Sequence, residues 1–284
     1  MRHDLDLSVL SSPWVFIPLL LVLFGESITV ILAAINFRSI VVDISGVPVE
    51  HHTAIKFYNI ANVYKFIPGG IMYVVGRNRM AVEVEGLSHG KVAFATLIEG
   101  MIWIVAAIIL SSIFAFHYFI YFMRQIDILP LAGFLFGLAV LIAIPILYRF
   151  RTRLLAALHN GNHDTSGLLA IALVKRFAFS LVVITLLGFS FLATLVVLGQ
   201  PITLNLGITI VGLYILSWLI GFLTPGAPSG LGIREFILLM FLGGILNEDI
   251  LLSAIMIHRA LQIAGDIVAY IIALGYAQIK SKPR

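Results

Sequence analysis

Long apolar runs, separated by short polar segments, fill most of the chain. The longest runs are Pro13–Ile35, Val92–His117, Leu129–Tyr148, Leu168–Leu198 and Ile250–Gln278. A helix needs about 20 apolar residues to cross the hydrocarbon core of a bilayer, and each of these runs is long enough. Together with two interrupted runs, they predict an all-α polytopic membrane protein with about seven to eight transmembrane helices.

Proline and glycine interrupt two further apolar stretches. The first, Phe66–Arg77, has too few apolar residues to cross a bilayer alone. The second, Thr224–Glu235, follows the run Ile208–Leu223 and holds two prolines and three glycines, which rule out a continuous helix. Broken backbone at membrane depth is tolerated only where protein buries it or where it lines a water-filled cavity. We therefore expect two broken or re-entrant segments, with polar residues beside them marking a site.

The two breaks occupy corresponding places in an internal repeat. The proline of the first break stands 55 residues after Pro13, and the first proline of the second stands 57 residues after Leu168. An arginine follows each of these prolines by nine positions, namely Arg77 and Arg234. Paired interruptions of this kind indicate a substrate site near the bilayer midplane, although membrane helices also contain proline and glycine for packing alone. The chain is thus expected to be a single membrane domain, 1–284, with halves at about 13–149 and 168–278.

The residues at the breaks suggest anion binding. A helix that restarts after Gly232 would present free N–H groups and its positive dipole end to the break. A guanidinium group there fits a phosphate better than an ammonium group does. The candidate ligands of a lipid head group are Arg77, Arg234, Arg259, Gly69, Gly70, Gly230 and Gly232, with Pro68 and Pro225 as structural breaks.

Acidic residues inside the apolar runs form a second set of candidates. A carboxyl group at the centre of a membrane helix costs a few kcal/mol, so each one requires a partner or a proton. The candidate charge partners or proton-coupling groups are Glu26, Glu99, Glu235, His258 and Asp266. In the last run, Arg259 and Asp266 share one helical face, and we expect Arg259 to meet Asp266 or Glu99. Structural ion pairing explains this face as well as ligand binding does.

The composition agrees with a membrane protein and excludes several other classes. Apolar residues make up 61% of the chain, charged residues only 11%, and the mean hydropathy is +1.08. The net charge of +4 is scattered over segment ends, which does not indicate a nucleic-acid partner. Without cysteine there is no disulfide or thiolate metal site. His159, His163 and Asp164 lie in a polar loop without rigid spacing, so neither a metal nor a cofactor is expected.

Basic residues also indicate the orientation in the membrane. Lysine and arginine concentrate in segments such as Arg77–Lys91, Arg149–Arg153 and Lys280–Arg284, which the positive-inside rule places in the cytoplasm. We therefore expect a multi-pass protein of the cytoplasmic membrane with its C-terminus inside. The side of the N-terminus depends on whether the first break spans or re-enters.

The sequence resembles the flippase-like membrane domain of lysylphosphatidylglycerol synthases, which also occurs in archaeal dolichol-linked glycosyltransferases. The matching features are Lys65–Gly70 with Gly76 and Arg77, Glu99, Pro225–Gly226 with Gly230–Glu235, and Arg259. The resemblance extends from Pro13 to about Gln278, and the motif of the second break is the more specific one. It implies a polytopic fold that moves or accommodates a polar-headed lipid between leaflets. No aminoacyl or glycosyl transferase domain is found up to Arg284, so the enzymatic activities of that family are not expected here.

Three functions follow, in order of preference. The first is a non-enzymatic protein that binds or translocates a membrane lipid with an anionic head group, either a phospholipid or a polyprenyl phosphate. The second is a membrane subunit that docks a separately encoded soluble transferase on the cytoplasmic loop Arg149–Arg153 and supplies it with lipid. The third is an intramembrane enzyme with Glu235 or Glu99 as general base. The sequence does not decide whether the protein forms a homo-oligomer.

Overall fold

The computed structural model describes residues 13–67, 72–118, 120, 165–224 and 226–281, which are largely helical and contain no β-strand. The helices are α1 Pro13–Ser45, α2 His51–Val63, α3 Met72–Glu85, α4 His89–Phe114, α5 Thr165–Val197, α6 Leu204–Leu223, α7 Ile233–Leu242 and α8 Glu248–Ser281, with 3-10 turns at Tyr64–Phe66 and Pro228–Gly230. Several predicted features lie outside the described residues: Leu129–Tyr148, Arg149–Arg153, His159, His163, Asp164, Pro68, Gly69, Gly70 and Pro225.

Five helices in the described part of the chain are long and apolar enough to cross a membrane: α1, α4, α5, α6 and α8. Large apolar side chains face outwards from them, as Trp14 does at 89% exposure and Leu21 at 68%. An exposed apolar surface of this extent is typical of contact with lipid. The predicted class, an all-α membrane protein, is therefore confirmed. The total of seven to eight spans stays a prediction.

The first break joins two helices that are too short to span. α2 has 13 residues and α3 has 14, against the roughly 20 that a crossing needs. α2 ends in the 3-10 turn Tyr64–Phe66, and Ile67 then takes an extended conformation, with φ −76° and ψ 131°. Ile67 precedes a proline, whose ring disfavours the helical conformation in the preceding residue. The sequence thus ends the helix where the repeat predicts a break.

The second break ends its helix in the same way. Thr224 is extended, with φ −82° and ψ 111°, and it also precedes a proline. The chain then turns through Gly226, Gly230 and Gly232, which have φ of +87°, +71° and +82°. These left-handed conformations are accessible to glycine without steric cost. Ser229 takes φ +51° between them, and the following helix α7 has only 10 residues.

The two halves of the chain pack in the same pattern. Each half has a long helix, a second helix, a 3-10 turn, a short helix and another long helix, so α1 to α4 correspond to α5 to α8. α1 packs on α8 and its counterpart α5 packs on α4, whereas α2 packs on α8 and α6 packs on α4. α1 and α5 contact each other, and so do the two 3-10 turns. The described helices are therefore related by an approximate twofold exchange.

Each break is preceded and followed by chain segments that lie side by side. In the first half, the Lys91 ammonium at the start of α4 donates a hydrogen bond to the Ser45 carbonyl at the end of α1, at 3.0 Å. In the second half, the backbone N–H of Asn247 before α8 donates to the Gln200 side-chain carbonyl after α5, at 3.2 Å. The broken segments, taken with their helices as α2 to α3 and α6 to α7, thus each begin and end near the same end of their half.

Apolar cores hold the walls around the breaks. In the first half, Phe37 meets Phe57 edge to face, with ring centroids 6.3 Å apart. In the second half, Phe191 stacks on Tyr214 with centroids 4.9 Å apart and an interplanar angle of 17°. Aromatic pairs of this kind add to the free energy gained from burial and restrict rotation of the helices that carry them.

Candidate functional site

A cavity of about 440 Å³ lies between the two breaks. Phe66 lines it from the first break, and Gly226, Ala227 and Ser229 line it from the second. Other lining residues are among those that the sequence singles out: Glu26, Arg77, Glu99, Gly230, Arg234, Arg259 and Asp266. Residues from both halves of the repeat therefore surround one space, and whether it holds a lipid head group stays a prediction.

Arg77 is buried in this wall, where a carboxylate and aromatic rings contact its guanidinium, and its Nε has no hydrogen-bond partner among the described residues. One of its terminal nitrogens donates to the Glu99 carboxylate, whose other oxygen accepts a 3.1 Å hydrogen bond from the Tyr58 hydroxyl. The guanidinium carbon lies 4.0 Å from the ring centroid of Tyr58 and 4.4 Å from that of Phe37. A guanidinium with a carboxylate on its edge and aromatic rings on its faces is neutralised without any ligand.

Lys65 and Asp266 form a second neutral pair, which joins the first break to the last helix. The Lys65 ammonium lies 2.7 Å and 2.9 Å from the two carboxylate oxygens of Asp266. Asn62 donates a further hydrogen bond of 2.8 Å to the same carboxylate. Asp266 is buried, whereas the side chain of Lys65 is 26% exposed. The pair therefore fixes the 3-10 turn Tyr64–Phe66 against α8.

Glu26 is buried at the middle of α1 and has no cation within hydrogen-bond distance among the described residues. The Ser190 hydroxyl on α5 donates to its carboxylate. The nearest basic side-chain nitrogen among the described residues is Nε2 of His258, at 3.7 Å, which is beyond hydrogen-bond length. Gly265 allows the close approach of α8, because a Cβ there would stand 2.8 Å from Cβ of Glu26. A carboxylate with only a hydroxyl donor is the least neutralised acid in the cavity wall.

His258 lies behind Glu26 in a chain of hydrogen bonds that fixes its protonation. Gln262 donates to the Tyr214 hydroxyl at 2.7 Å, and that hydroxyl lies 2.9 Å from Nε2 of His258. Nδ1 of His258 lies 3.2 Å from the Thr194 hydroxyl, which itself donates to the Ser190 carbonyl. The Thr194 oxygen therefore accepts from Nδ1–H, and the Tyr214 hydroxyl donates to Nε2. Every partner is satisfied by a neutral imidazole.

Arg259 reaches from α8 to the second break. Its terminal nitrogen donates to the Ser229 carbonyl at 3.0 Å, and its Nε lies 3.8 Å from the Glu235 carboxylate. Ser229 is the residue with the left-handed φ, so this hydrogen bond holds the strained turn in place. One oxygen of Glu235 is buried without a hydrogen-bond partner among the described residues. The expected pairing of Arg259 with Asp266 or Glu99 is wrong, because Lys65 and Arg77 already occupy those carboxylates.

Arg234 differs from the other cations of the cavity. Within the described ranges, no carboxylate oxygen lies within 4.0 Å of its guanidinium, whereas Arg77 and Arg259 each have one. Its buried Nε has no hydrogen-bond partner, a feature that it shares with Nε of Arg77 and of Arg259. Its guanidinium carbon lies 5.8 Å from the Trp218 ring centroid. The side chain packs along two glycines that contact each other: a Cβ on Gly221 would stand 2.6 Å from Cγ of Arg234, and one on Gly230 would stand 2.8 Å from its Nε and 2.9 Å from Cα of Gly221. The absence of side chains at these glycines makes room for Arg234.

The approximate symmetry explains why Arg77 has a carboxylate and Arg234 does not. Glu99 is the eleventh residue of α4, counted from His89. The eleventh and twelfth residues of α8, counted from Glu248, are His258 and Arg259. Where α4 offers a carboxylate to the arginine of the first break, α8 therefore offers an imidazole and a second guanidinium. The two halves share one framework, but only the second is left with excess positive charge at its break.

Sequence reasoning missed several residues of this site. Lys65 stands beside the first break and could have been chosen as a charge near a motif, but its partner is 201 residues away. Ser190 and Gly221 carry no signal in the sequence, because a serine or glycine in an apolar run is common in membrane helices. Three of the predicted site residues do not line the cavity and lie next to residues that do: Gly232, Glu235 and His258.

The described residues contain no group of three His, Asp or Glu side chains suited to a metal ion. Comparison of the chain with protein-family models, curated proteins and solved structures gave no match. The described residues thus define the class by themselves: a helical, multi-pass membrane protein with a cavity lined by charged and apolar side chains. The resemblance to the flippase-like family stays a prediction.

Proposed function

We propose that this protein binds an anionic-headed membrane lipid, a phospholipid or a polyprenyl phosphate, and moves it across the cytoplasmic membrane without changing it chemically. One observation carries the proposal: Arg234 lines the cavity, and no described residue supplies it with a carboxylate. Burying an unpaired charge costs free energy. An anionic ligand that pairs with Arg234 offsets part of this cost, which favours its binding. A phosphate group matches the guanidinium fork in shape and charge.

The packing also supports movement across the bilayer. We infer that both broken segments are re-entrant, because the segments before and after each of them lie side by side. If the run Leu129–Tyr148 crosses once, the two segments enter from opposite faces and meet at their 3-10 turns. Inverted repeats with broken helices at the midplane are typical of alternating-access transporters. This topology would put the two termini on opposite faces, and the basic residues Lys280–Arg284 favour the C-terminus as the one inside.

Lipid binding can be measured on the purified, full-length protein in nanodiscs. We expect binding of dioctanoyl phosphatidylglycerol or of farnesyl phosphate, and weaker binding of phosphatidylcholine. The first two probes separate the phospholipid from the polyprenyl source of the same phosphate chemistry. Arg234→Gln should weaken binding of the preferred probe by about 10-fold to 100-fold, because a hydrogen bond to a charged group contributes about 1.5–3 kcal/mol.

Arg79→Gln is the matched control for this substitution. Arg79 lies on the exposed face of α3, where its Nε is 2.6 Å from the Glu83 carboxylate. A hydrogen bond to that carboxylate raises the pKa of Arg79, so it too is a charged guanidinium. We expect the control to bind like the wild type. Equal binding by Arg234→Gln and wild type would contradict the proposal, and loss of folding in Arg234→Gln would assign Arg234 to structural support.

Translocation needs a separate experiment in liposomes. Phosphatidylglycerol with a fluorescent head-group label can be placed in both leaflets, and a membrane-impermeant reductant then bleaches only the outer one. Wild-type protein should bring the inner-leaflet label within reach of the reductant, whereas protein-free liposomes should stop at about half bleaching. If binding is intact but the inner label stays protected, the protein binds the lipid without moving it.

The docking of a separate transferase remains a second prediction from the sequence. Its expected surface, Arg149–Arg153, lies outside the described residues. The intramembrane-enzyme hypothesis gains little from the cavity wall, since Glu99 is held by Arg77 and Tyr58. Neither hypothesis has an observation in its favour comparable to Arg234.

A further inference from the structure

The ionisable groups around the cavity balance each other when it is empty. Among the described residues, the lining cations are Lys65, Arg77, Arg234 and Arg259, and the carboxylates are Glu26, Glu99 and Asp266, with Glu235 beside Arg259. His258 is neutral, as its hydrogen bonds require. Four positive groups therefore face four negative groups. A phosphodiester head group adds one negative charge to this space between apolar helices, and a fully ionised phosphate monoester adds two.

A net charge inside a membrane protein is unfavourable, so binding of an anion favours the simultaneous uptake of a proton. Three of the four carboxylates have a cation of their own. Glu99 is bonded by Arg77, Asp266 by Lys65, and Glu235 lies 3.8 Å from Arg259. Glu26 has no such cation, and protonating it leaves every ion pair intact.

Among the described residues around Glu26, no other group is a better proton acceptor. From α8 it faces His258 and Asp266, from the first 3-10 turn Lys65, and from α7 Arg234. α5 contributes the uncharged Ser190, and on α4 the lining carboxylate is Glu99, which Arg77 and Tyr58 occupy. To accept a proton on Nε2, His258 would have to lose the hydrogen bond that the Tyr214 hydroxyl donates to that nitrogen.

We propose that Glu26 is a proton site, and that one proton binds its carboxylate as one anionic head group binds beside Arg234. The inference rests on the proposed function and adds a coupled ion to it. On binding, the proton passes from water to a carboxylate oxygen of Glu26, and the complex gains no net charge from a monoanionic phosphodiester. On release, the lipid and the proton leave together. A pH difference across the membrane would then bias the direction in which the lipid moves.

Proton uptake can be counted by calorimetry of the full-length protein. Dioctanoyl phosphatidylglycerol and farnesyl phosphate are titrated at pH 8.0 in two buffers with different ionisation enthalpies. A phosphodiester does not titrate near this pH, and the second pKa of a phosphate monoester is about 6. We expect uptake of about one proton per bound lipid by the wild type. Over the pH range where free Glu26 is ionised, the affinity should fall by about tenfold per pH unit.

Glu26→Gln should remove the proton uptake while keeping the lipid affinity, because glutamine resembles the protonated acid. Its affinity at pH 8.0 should equal or exceed that of the wild type and should not vary between pH 6.5 and 8.5. Glu83→Gln, an exposed carboxylate outside the cavity, is the matched control and should behave like the wild type. Ser190→Ala is a second variant. Without the hydroxyl donor the ionised carboxylate is less stable, so the pH dependence should shift to higher pH.

The outcomes separate this inference from the proposed function. If neither probe binds at any pH, the proposed function fails and the inference fails with it. If a probe binds in an Arg234-dependent manner but the wild type takes up no proton, only the proton site is overturned. The same holds if uptake persists undiminished in Glu26→Gln, or, should that variant not fold, if Ser190→Ala leaves the pH dependence unchanged.

Discussion

At the scale of single residues, the site depends on two glycines whose lack of a side chain leaves room for Arg234. Arg234 packs along Gly221 and Gly230, which contact each other and have no side chain that would displace the arginine. The guanidinium thereby lines the cavity, and no carboxylate oxygen of the described residues lies within 4.0 Å of it. In a membrane helix, small residues usually allow two helices to approach. Here they accommodate a charged side chain.

Gly221→Ala should therefore damage the site. Its Cβ would stand 2.6 Å from Cγ of Arg234 and 3.3 Å from Cα of Gly230, so the arginine or the turn must move. We expect a loss of at least about 1 kcal/mol in stability, as for other overpacked positions, together with weaker lipid binding. The measurements are thermal unfolding and lipid titration in nanodiscs.

Gly275→Ala is the control for this substitution, since a Cβ at Gly275 meets nothing within 4 Å. That change should leave binding intact and raise stability slightly, because alanine favours a helix over glycine by up to about 1 kcal/mol. Wild-type binding by Gly221→Ala would show that the position of Arg234 does not matter.

At the scale of elements, ion pairs between distant segments hold the two short helices of the first break. The pair of Arg77 with Glu99 fixes α3 against α4, and the pair of Lys65 with Asp266 fixes the first 3-10 turn against α8. The second break has the weaker contact between Arg259 and Glu235, at 3.8 Å. The first break is therefore the more firmly anchored of the two, and the second is better suited to respond to a ligand.

Replacing one partner of the buried Arg77–Glu99 pair should reduce the stability far more than replacing both. Arg77→Gln leaves the Glu99 carboxylate buried without its cation, and we expect a loss of about 3–5 kcal/mol. The double variant Arg77→Met with Glu99→Leu removes both charges and should recover most of that loss. Arg234→Gln, by comparison, should change stability by less than about 1 kcal/mol. Thermal unfolding of all three in one detergent provides the comparison, and equal losses for Arg77→Gln and Arg234→Gln would contradict this distinction.

The sequence predicts the positions of the helix breaks well, and it predicts poorly which charged residues form ion pairs. A break is local: a proline disfavours the helix at the residue before it, which is why Ile67 and Thr224 are extended. A salt bridge depends on the rotation and register of helices far apart in the chain, as the 201 residues between Lys65 and Asp266 illustrate. The repeat placed Arg77 and Arg234 in corresponding positions, but only the three-dimensional structure distinguishes the paired arginine from the unpaired one.

At the scale of the whole molecule, the approximate twofold exchange relates the helix contacts of one half to those of the other, and the contact of α1 with α5 to itself. α1 on α8 corresponds to α5 on α4, and the two breaks meet at the centre. If both broken segments are re-entrant, the loops before and after each segment open to the same face of the membrane. The loops of the first half and those of the second half then open to opposite faces.

Cysteine labelling tests this topology directly, because the natural chain contains no cysteine. Single cysteines at the exposed positions Val47 and Ser88 should react with an impermeant maleimide from the cytoplasmic face. Cysteines at Asn205 and Glu248, which are also exposed, should react from the outer face. Sealed vesicles of both orientations distinguish the two faces. Labelling of Val47→Cys and Ser88→Cys from opposite faces would mean that the first broken segment crosses the membrane instead.

The interlocking of the halves also governs how the protein is made. Glu26 lies in the first helix, and its hydroxyl donor Ser190 follows it by 164 residues. At synthesis rates of about 5–20 residues per second, Ser190 is therefore synthesised roughly 10–30 s after Glu26. The Lys65 ammonium waits still longer for Asp266, which follows it by 201 residues. The first half thus enters the membrane with polar groups that only the second half can satisfy, and premature termination between them would leave a fragment unsuited to lipid.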